Sequence, residues 1–117
     1  LDIQPVNPGH VLVIPNQHAP YLADLDADTG AQMFRIAQRT AAALRVSGVQ
    51  CEGVNFFLAD GEAAMQDVFH VHLHVFPRYQ GDGFGLKLSP NYYTLPERSE
   101  LDGIAEDIRN ALESAKT

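Results

Sequence analysis

Three histidines, His70, His72 and His74, alternate with Val71, Leu73 and Val75 in the stretch HVHLHVF. The chain has five histidines, and this run carries three of them. Side chains alternate across a strand, so the three imidazoles are expected on one face of a strand over residues 68–78. Val71, Leu73 and Val75 are expected on the other face, against the core. Imidazole is the side chain that can attack, donate or accept a proton near neutral pH. Spacing narrows what the row can do. Same-face Cα atoms lie roughly 6.6–7 Å apart on a regular strand, which puts the outer two histidines about 13 Å apart. A zinc ion holds its ligand nitrogens at about 2.0–2.1 Å. Two neighbouring histidines with a ligand from elsewhere could hold one ion; all three could not. A row of imidazoles suits an extended chain of phosphate oxygens better. The central His72 is then the natural nucleophile, with its other ring nitrogen held by an acceptor that fixes the tautomer. His70 and His74 are placed to donate to oxygens that gain charge in the transition state. A lone histidine on a strand is ordinarily a surface or satisfied core residue; three at strict alternation are not explained that way.

The elements that must position this row can be read along the chain. Asn7 to His10, NPGH, is a turn signal. The apolar run from His10 to Pro15 reads as a strand ended by proline, followed by a loop carrying His18. From about Asp28 to Ser47, Met33, Ile36, Ala37, Thr40, Ala41 and Leu44 recur at helical spacing, and Gly48 closes the segment. Gly53 to Ala59 reads as a strand, and Asp60 to Asp67 as a loop opened by an Asp-Gly pair. The glycine-rich YQGDGFG, Tyr79 to Gly85, is expected to be mobile. Ser99 is expected to cap a last helix over about residues 100–115, with Leu101, Ile104, Ala105, Ile108 and Leu112 on its buried side. Strands in pairs, one helix between them and one after, predict an α+β domain with an antiparallel sheet.

The totals bound the rest. A chain of 117 residues is expected to form one domain, 1–117, with a single core. A formal net charge of −7 argues against nonspecific binding to nucleic acid or anionic membrane. No apolar run approaches the roughly 18 residues of a membrane span. Cys51 stands alone, so these residues hold no internal disulfide and no CxxC metal motif, which suits a cytoplasmic location. No signal peptide is legible. The chain opens on Leu1-Asp2-Ile3 without Met, as if inside a strand, and upstream residues are expected to be missing.

HVHLHVF resembles the signature of the histidine triad (HIT) superfamily, His-φ-His-φ-His-φ-φ with φ apolar. The likeness runs from Leu1 to about Arg78: LDIQPVNPGHVLVIPNQH resembles the family's segment before its first helix, and QDVFHVHLHVFPR its catalytic strand. The galactose-1-phosphate uridylyltransferase branch places proline between the histidines, where this chain has Val71 and Leu73. The resemblance implies an antiparallel sheet of about five strands with two main helices, in a homodimer for which the helix near residues 28–47 is an interface candidate. It also implies an enzyme that binds a purine nucleoside monophosphate unit and cleaves at its α-phosphorus through a covalent nucleotidyl-histidine intermediate. Adenosine phosphoramidates, aminoacyl adenylates and diadenosine polyphosphates are the family's substrates, and no metal or other cofactor is required for the covalent step. By motif position the nucleophile is His72, and His70 and His74 are the flanking members. His18 matches a supporting fourth histidine, Asp2 the acidic residue that holds ribose hydroxyls, Ile3 an apolar neighbour of the nucleoside, and Gln66 a phosphate-loop glutamine.

Each carried-over residue has a plainer reading: Asp2 as a solvated end residue, Ile3 as core, His18 and Gln66 as ordinary loop residues, Arg78 as a surface arginine. Three positions depart from many relatives. Ala59 stands where Asn or Gln is usual, Met65 where Gly is usual, and Asp67 where Ser or Thr is usual. A hydroxyl at position 67 can donate to phosphate or to a leaving group; an ionised carboxylate cannot. If Asp67 faces the site, it is suited to accept a proton or hold a cationic leaving group. Two rival functions remain open at this level. One is a metal site using two triad histidines with His18 or a carboxylate. The other is a non-catalytic nucleotide-binding module.

Overall fold

A computed structural model describes residues 1–115 of the chain. The fold is α+β, as the sequence predicts. In chain order the elements are β1 (Val11–Val13), α1 (Ala27–Val46), β2 (Gly53–Phe57), β3 (Leu73–Arg78) and α2 (Arg98–Ala115). The three strands form an antiparallel sheet in the order β1-β3-β2. The contacts divide the chain into two compact units, Leu1–Phe84 and the residues from Gly85 onward.

In the first unit β3 is the middle strand. Its register sets Leu73, His74 and Val75 opposite Val13, Leu12 and Val11 of β1, and His74 also lies opposite Phe57 of β2. Val71, Leu73 and Val75 face α1 and pack with Val13, Ala19, Met33, Ala37 and Leu44. The alternation read from the sequence therefore holds for the apolar half of the HVHLHVF run. Met33, Ala37 and Leu44 are the buried residues of α1. They recur at four and seven residues, which places them on one side of a helix. Asp26 caps α1 by accepting the Thr29 amide at 3.3 Å, and Arg45 sits in the last turn, where a cation complements the helix dipole.

The strand carrying the histidines is shorter than expected. Pairing begins at Leu73, so Val68–His72 is not strand and His70 and His72 do not continue the regular pleat. The cause lies in the partners of this segment. Val71 N–H donates to the Ala19 carbonyl at 2.8 Å, outside the sheet, and β1 ends at Val13 opposite Leu73. Pro77 sits in the middle strand, where proline is ordinarily excluded. Here β1 pairs no further than Val75, so at Pro77 only β2 lies alongside. The Pro77 carbonyl is taken instead by the buried Asn7 amide at 2.9 Å.

The glycine-rich segment Tyr79–Phe84 is tied by hydrogen bonds to one carboxylate. Asp82, whose side chain is 3% exposed, accepts from Arg78 Nε at 2.7 Å, Asn7 Nδ2 at 2.9 Å and the Tyr79 and Phe84 amides at 3.2 Å. The Arg78 guanidinium beside it holds this carboxyl well below the usual carboxylate range. In the second unit α2 begins earlier than expected. Glu97 O accepts the Glu100 and Leu101 amides, so Ser99 lies inside the first turn and is not the cap. Leu101, Ile104, Ile108 and Leu112, expected to be buried, are each at least 43% exposed.

The turn ahead of β1 is the most constrained backbone. His10 N–H closes on the Asn7 carbonyl at 3.1 Å around Pro8 and Gly9, and Gly9 has φ +101°. Proline second and a positive φ third make a type II turn. A Cβ on Gly9 would lie 2.8 Å from Val49 Cγ1 and 3.4 Å from Leu44 and Pro77. Gly9→Ala is expected to destabilise the protein by about 2 kcal/mol, through left-handed strain and overpacking together. A urea midpoint equal to the parent's would contradict this account of the turn.

Candidate active site

Beneath the polar face of β3 lies a cavity of about 490 Å³, within the size range of small-molecule sites. Its walls are Asp2, Gln4, Val6, His10, Leu12, Phe57, Met65, Asp67, Val68, His72, His74, Phe76 and Phe84. A second hollow of about 430 Å³, between the end of β1 and the start of α1, contains Asp28 but no histidine. Three of the five histidines, His10, His72 and His74, are gathered in the first.

Two of the triad histidines reach this cavity. His72 and His74 line it, with ring centroids 4.8 Å apart. His70 does not. Its Nε2–H donates to the Pro15 carbonyl at 3.0 Å, and its ring stacks on His18 at 5.7 Å. The expectation that His70 and His74 both donate into the site from one pleated face is thus corrected. The strand starts too late to carry His70 on that face. What His70 offers the site is its backbone: the His70 carbonyl accepts His72 Nδ1–H at 2.8 Å. With the proton on Nδ1, a neutral His72 ring has its lone pair on Nε2, the nitrogen left for the cavity.

His74 is fixed by a residue the motif reading did not select. The buried His10 accepts the Val6 amide at Nδ1, 3.0 Å away. Its remaining proton is then on Nε2, which lies 2.8 Å from His74 Nδ1. His74 accepts there and carries its own proton on Nε2. One backbone amide thus sets two tautomers in series. The signal for His10 was present in HVLV: alternation puts His10 and Leu12 on one face and Val11 and Val13 on the other. Leu12 pairs with His74. All five histidines are joined, because His10 contacts His74, His74 contacts His72, His72 bonds to His70, and His70 stacks on His18.

Asp2 lines the cavity. Its amide donates to the His10 carbonyl at 2.9 Å, its Oδ1 accepts the Gln4 amide at 2.9 Å, and its Oδ2 lies 3.6 Å from His10 Nε2. Ile3 is fully exposed and is not part of the wall. His18 lies behind His70, away from the wall. Gln66 is buried, and its amide is spent on the chain itself. Oε1 accepts Gly61 N–H at 2.8 Å, and Nε2 donates to the Pro20 and Val68 carbonyls at 2.6 and 3.1 Å. Its side chain is a clamp on the 61–68 loop and reaches no wall of the cavity. That clamp presents Met65, Asp67 and Val68 to the cavity. Ala59 is buried outside the wall. Arg78 is also elsewhere, held by Asp82, Asn55 and the Phe84 carbonyl.

The ligating atoms of Asp2, His10 and His74 lie within 4.8 Å of one another. For a metal the sequence offers two triad members with His18 or a carboxylate; this cluster has one triad member, His74, with the carboxylate of Asp2 and with His10. Tetrahedral zinc ligands are roughly 3.4 Å apart, given bonds of 2.0–2.1 Å. At 2.8 Å, His10 Nε2 and His74 Nδ1 are instead hydrogen-bonded to each other, so the cluster as arranged is a proton-sharing pair with a carboxylate beside it.

Placed side by side, the antiparallel sheet, the histidine-lined cavity and the HVHLHVF motif define a histidine triad class of fold. A family model described as the HIT domain matches residues 1–81, and the chain belongs to that family, which includes nucleotide hydrolases. It is 40% identical over 88 residues to an uncharacterized HIT-like protein from Borreliella burgdorferi, a match covering 74% of this chain. The chain spans less than two thirds of that relative's length, 63%. It is 35% identical over 82 residues to a bis(5'-adenosyl)-triphosphatase from Dictyostelium discoideum, covering 70% of this chain and 54% of that protein. The crystal structure of a HIT family protein from Bacillus anthracis superposes with a TM-score of 0.84 at 34% identity, covering 95% of this chain and 78% of that one.

Two predictions follow from the site's geometry. Met65 is the one non-glycine residue with positive φ among those described, at 73°, a conformation that costs an L-residue roughly 1–2 kcal/mol. Met65→Gly is expected to raise stability by about 0.5–1 kcal/mol, the relief of strain exceeding the added freedom of the unfolded chain; an unchanged or lower urea midpoint would refute it. Burial lowers the pKa of His10, with Asp2 opposing in part. Burial, then the neighbouring His72 and His10, lowers that of His74. In the unfolded chain both titrate near the ordinary 6.5, so as pH falls through that value the unfolded state binds protons first. Stability contributed by these two groups is whole above pH 6.5, falls below it, and levels off beneath the lowered folded values. The denaturation midpoint is expected to drop between pH 7.5 and 5.5, and less steeply in His74→Asn; a parent midpoint that rises on acidification contradicts the assignment.

Proposed function

We propose that this protein is a nucleotide hydrolase that cleaves at the α-phosphorus of a purine nucleoside phosphoramidate or dinucleoside polyphosphate and releases a nucleoside monophosphate. The observation that carries the reading is the 2.8 Å bond from His72 Nδ1–H to the His70 carbonyl, which leaves Nε2 as the nucleophilic nitrogen of a residue lining the cavity. His72 Nε2 attacks phosphorus in line, the leaving group departs with a proton, and water then attacks the nucleotidyl-His72 intermediate. Overall one water is consumed, its hydroxyl going to phosphorus and its hydrogen to the leaving group. His74 Nε2–H supplies a donor for the phosphoryl oxygens, where charge stabilisation has most effect on rate. Asp2 is the candidate for the ribose hydroxyls. The likeness to the Dictyostelium triphosphatase supports the bond type. The covalent step calls on no metal, since an imidazole supplies the nucleophile. We place the protein in the cytoplasm as a homodimer, with α1 as the interface candidate.

His72→Ala is expected to abolish nucleoside monophosphate release from an adenosine phosphoramidate and a diadenosine polyphosphate, measured with EDTA present. His74→Ala is expected to cost less, about 10²–10³-fold, because a donor is lost and the nucleophile is kept. A His72→Ala variant that retains the parent rate refutes the mechanism. AMP binding without release by the parent protein assigns a binding module instead, and activity lost with EDTA assigns a metal site.

A further inference from the structure

The charges around the cavity discriminate between leaving groups. Its wall holds two carboxylates, Asp2 and Asp67, and no lysine or arginine. The four arginines of Leu1–Phe84 lie elsewhere. Arg35, Arg39 and Arg45 are on α1, and Arg78 is engaged with Asp82. The two carboxylates differ in their state. Asp2 accepts the Gln4 amide and stands beside His10. Asp67 has no hydrogen-bond or ion-pair partner among the described residues, and its charge is uncommitted. It is presented from a clamped loop, because the adjacent Gln66 side chain is tied to Gly61, Pro20 and Val68. Burial and the neighbouring His72 and His10 lower the pKa of His74, and Asp2 and then Asp67 oppose this in part, so the Asp67 charge is felt at the triad.

We infer that Asp67 is the specificity residue for the leaving group, selecting a nucleoside phosphoramidate whose departing amine carries a second positive centre over a substrate with an anionic phosphate leaving group. This inference rests on the hydrolase reading above. In the reaction the phosphorus–nitrogen bond breaks as His72 Nε2 bonds to phosphorus. The leaving nitrogen takes a proton from solvent, and water later supplies the hydroxyl that releases the monophosphate and returns its other proton to solvent. A carboxylate beside the departing group attracts a positive tail and the charge growing on nitrogen. The same carboxylate repels a departing phosphate, with no cation on the wall to offset it. Because Asp67 is exposed, the preference is screened by salt.

The test compares AMP joined to 1,4-diaminobutane with AMP joined to butylamine, and both with ADP. The ratio of kcat/KM for the diamine substrate over the butylamine substrate is expected to be about tenfold in the parent, equivalent to ~1.4 kcal/mol. It is expected to fall towards one in Asp67→Asn, to persist in Asp67→Glu, and to shrink at high ionic strength. ADP is expected to be the poorest of the three in the parent and to gain relative to butylamine in Asp67→Asn. A purely structural role for Asp67 would change all three substrates alike. A ratio unaltered by Asp67→Asn overturns the inference and leaves the hydrolase reading standing. The same pair is measured by equilibrium binding to His72→Ala, which does not turn over. If the parent shows no His72-dependent release, the hydrolase reading fails. The binding ratio, lost or kept on adding Asp67→Asn, then decides the role of Asp67 by itself.

Discussion

The proton order of the site depends on the hydrogen bond between His10 and His74, and that bond depends on a backbone amide. Val6 N–H occupies His10 Nδ1, which obliges His10 to donate through Nε2 and His74 to accept through Nδ1. Three features near the cavity hold these groups in line. The type II turn at Asn7–His10 returns the chain so that Val6 faces the ring of His10 four residues later. The β1–β3 register places Leu12 opposite His74, and by alternation puts His10 on the same side. Asn7 pins the turn to Pro77 and Asp82, anchoring it to the far end of β3. Burial favours neutral rings for both histidines, and only neutral rings can pass a donor–acceptor pattern in one direction.

The nucleophile is governed by a different device. His72 lies just ahead of the strand, where the backbone is free of the ladder and the His70 carbonyl can turn to its side chain. Had pairing continued back to Val68, that carbonyl would have been a candidate for a neighbouring strand. The strap from Pro15 to Ala19 prevents this by receiving both His70 Nε2–H and Val71 N–H. His18 and His70 thus support the site without lining it. The 61–68 loop is set in the same way, with one buried glutamine amide supplying three bonds to backbone.

Much of this was legible in the sequence, and what was not has identifiable causes. The α+β class, the span of α1, the apolar face of β3 and the pairing of His72 with an acceptor follow from periodicity and from the needs of imidazole. The strand's starting point does not, because alternation continues through His70 in sequence although the hydrogen bonds of that segment go to a loop. The family resemblance makes Gln66 a phosphate-loop residue, and no local signal reveals that one of its partners is 46 residues away at Pro20. His10 closes the turn signal and opens the strand of the sequence reading, and it shares the alternating pattern that marks the triad. The bonds that tie Tyr79–Phe84 meet at Asp82, which joins its neighbours Arg78, Tyr79 and Phe84 to Asn7 across 75 residues, a contact that glycine content cannot report.

The concentration of every histidine in a single connected network has a spectroscopic consequence. Selective isotope labelling of histidine places every reporter of these 117 residues in the network that runs from the cavity wall to His18 behind it. The five ring signals then constitute a complete and uncluttered readout of the site, in which the two nitrogen shifts of each ring distinguish the Nδ1–H tautomer of His72 from the Nε2–H tautomers of His10 and His74.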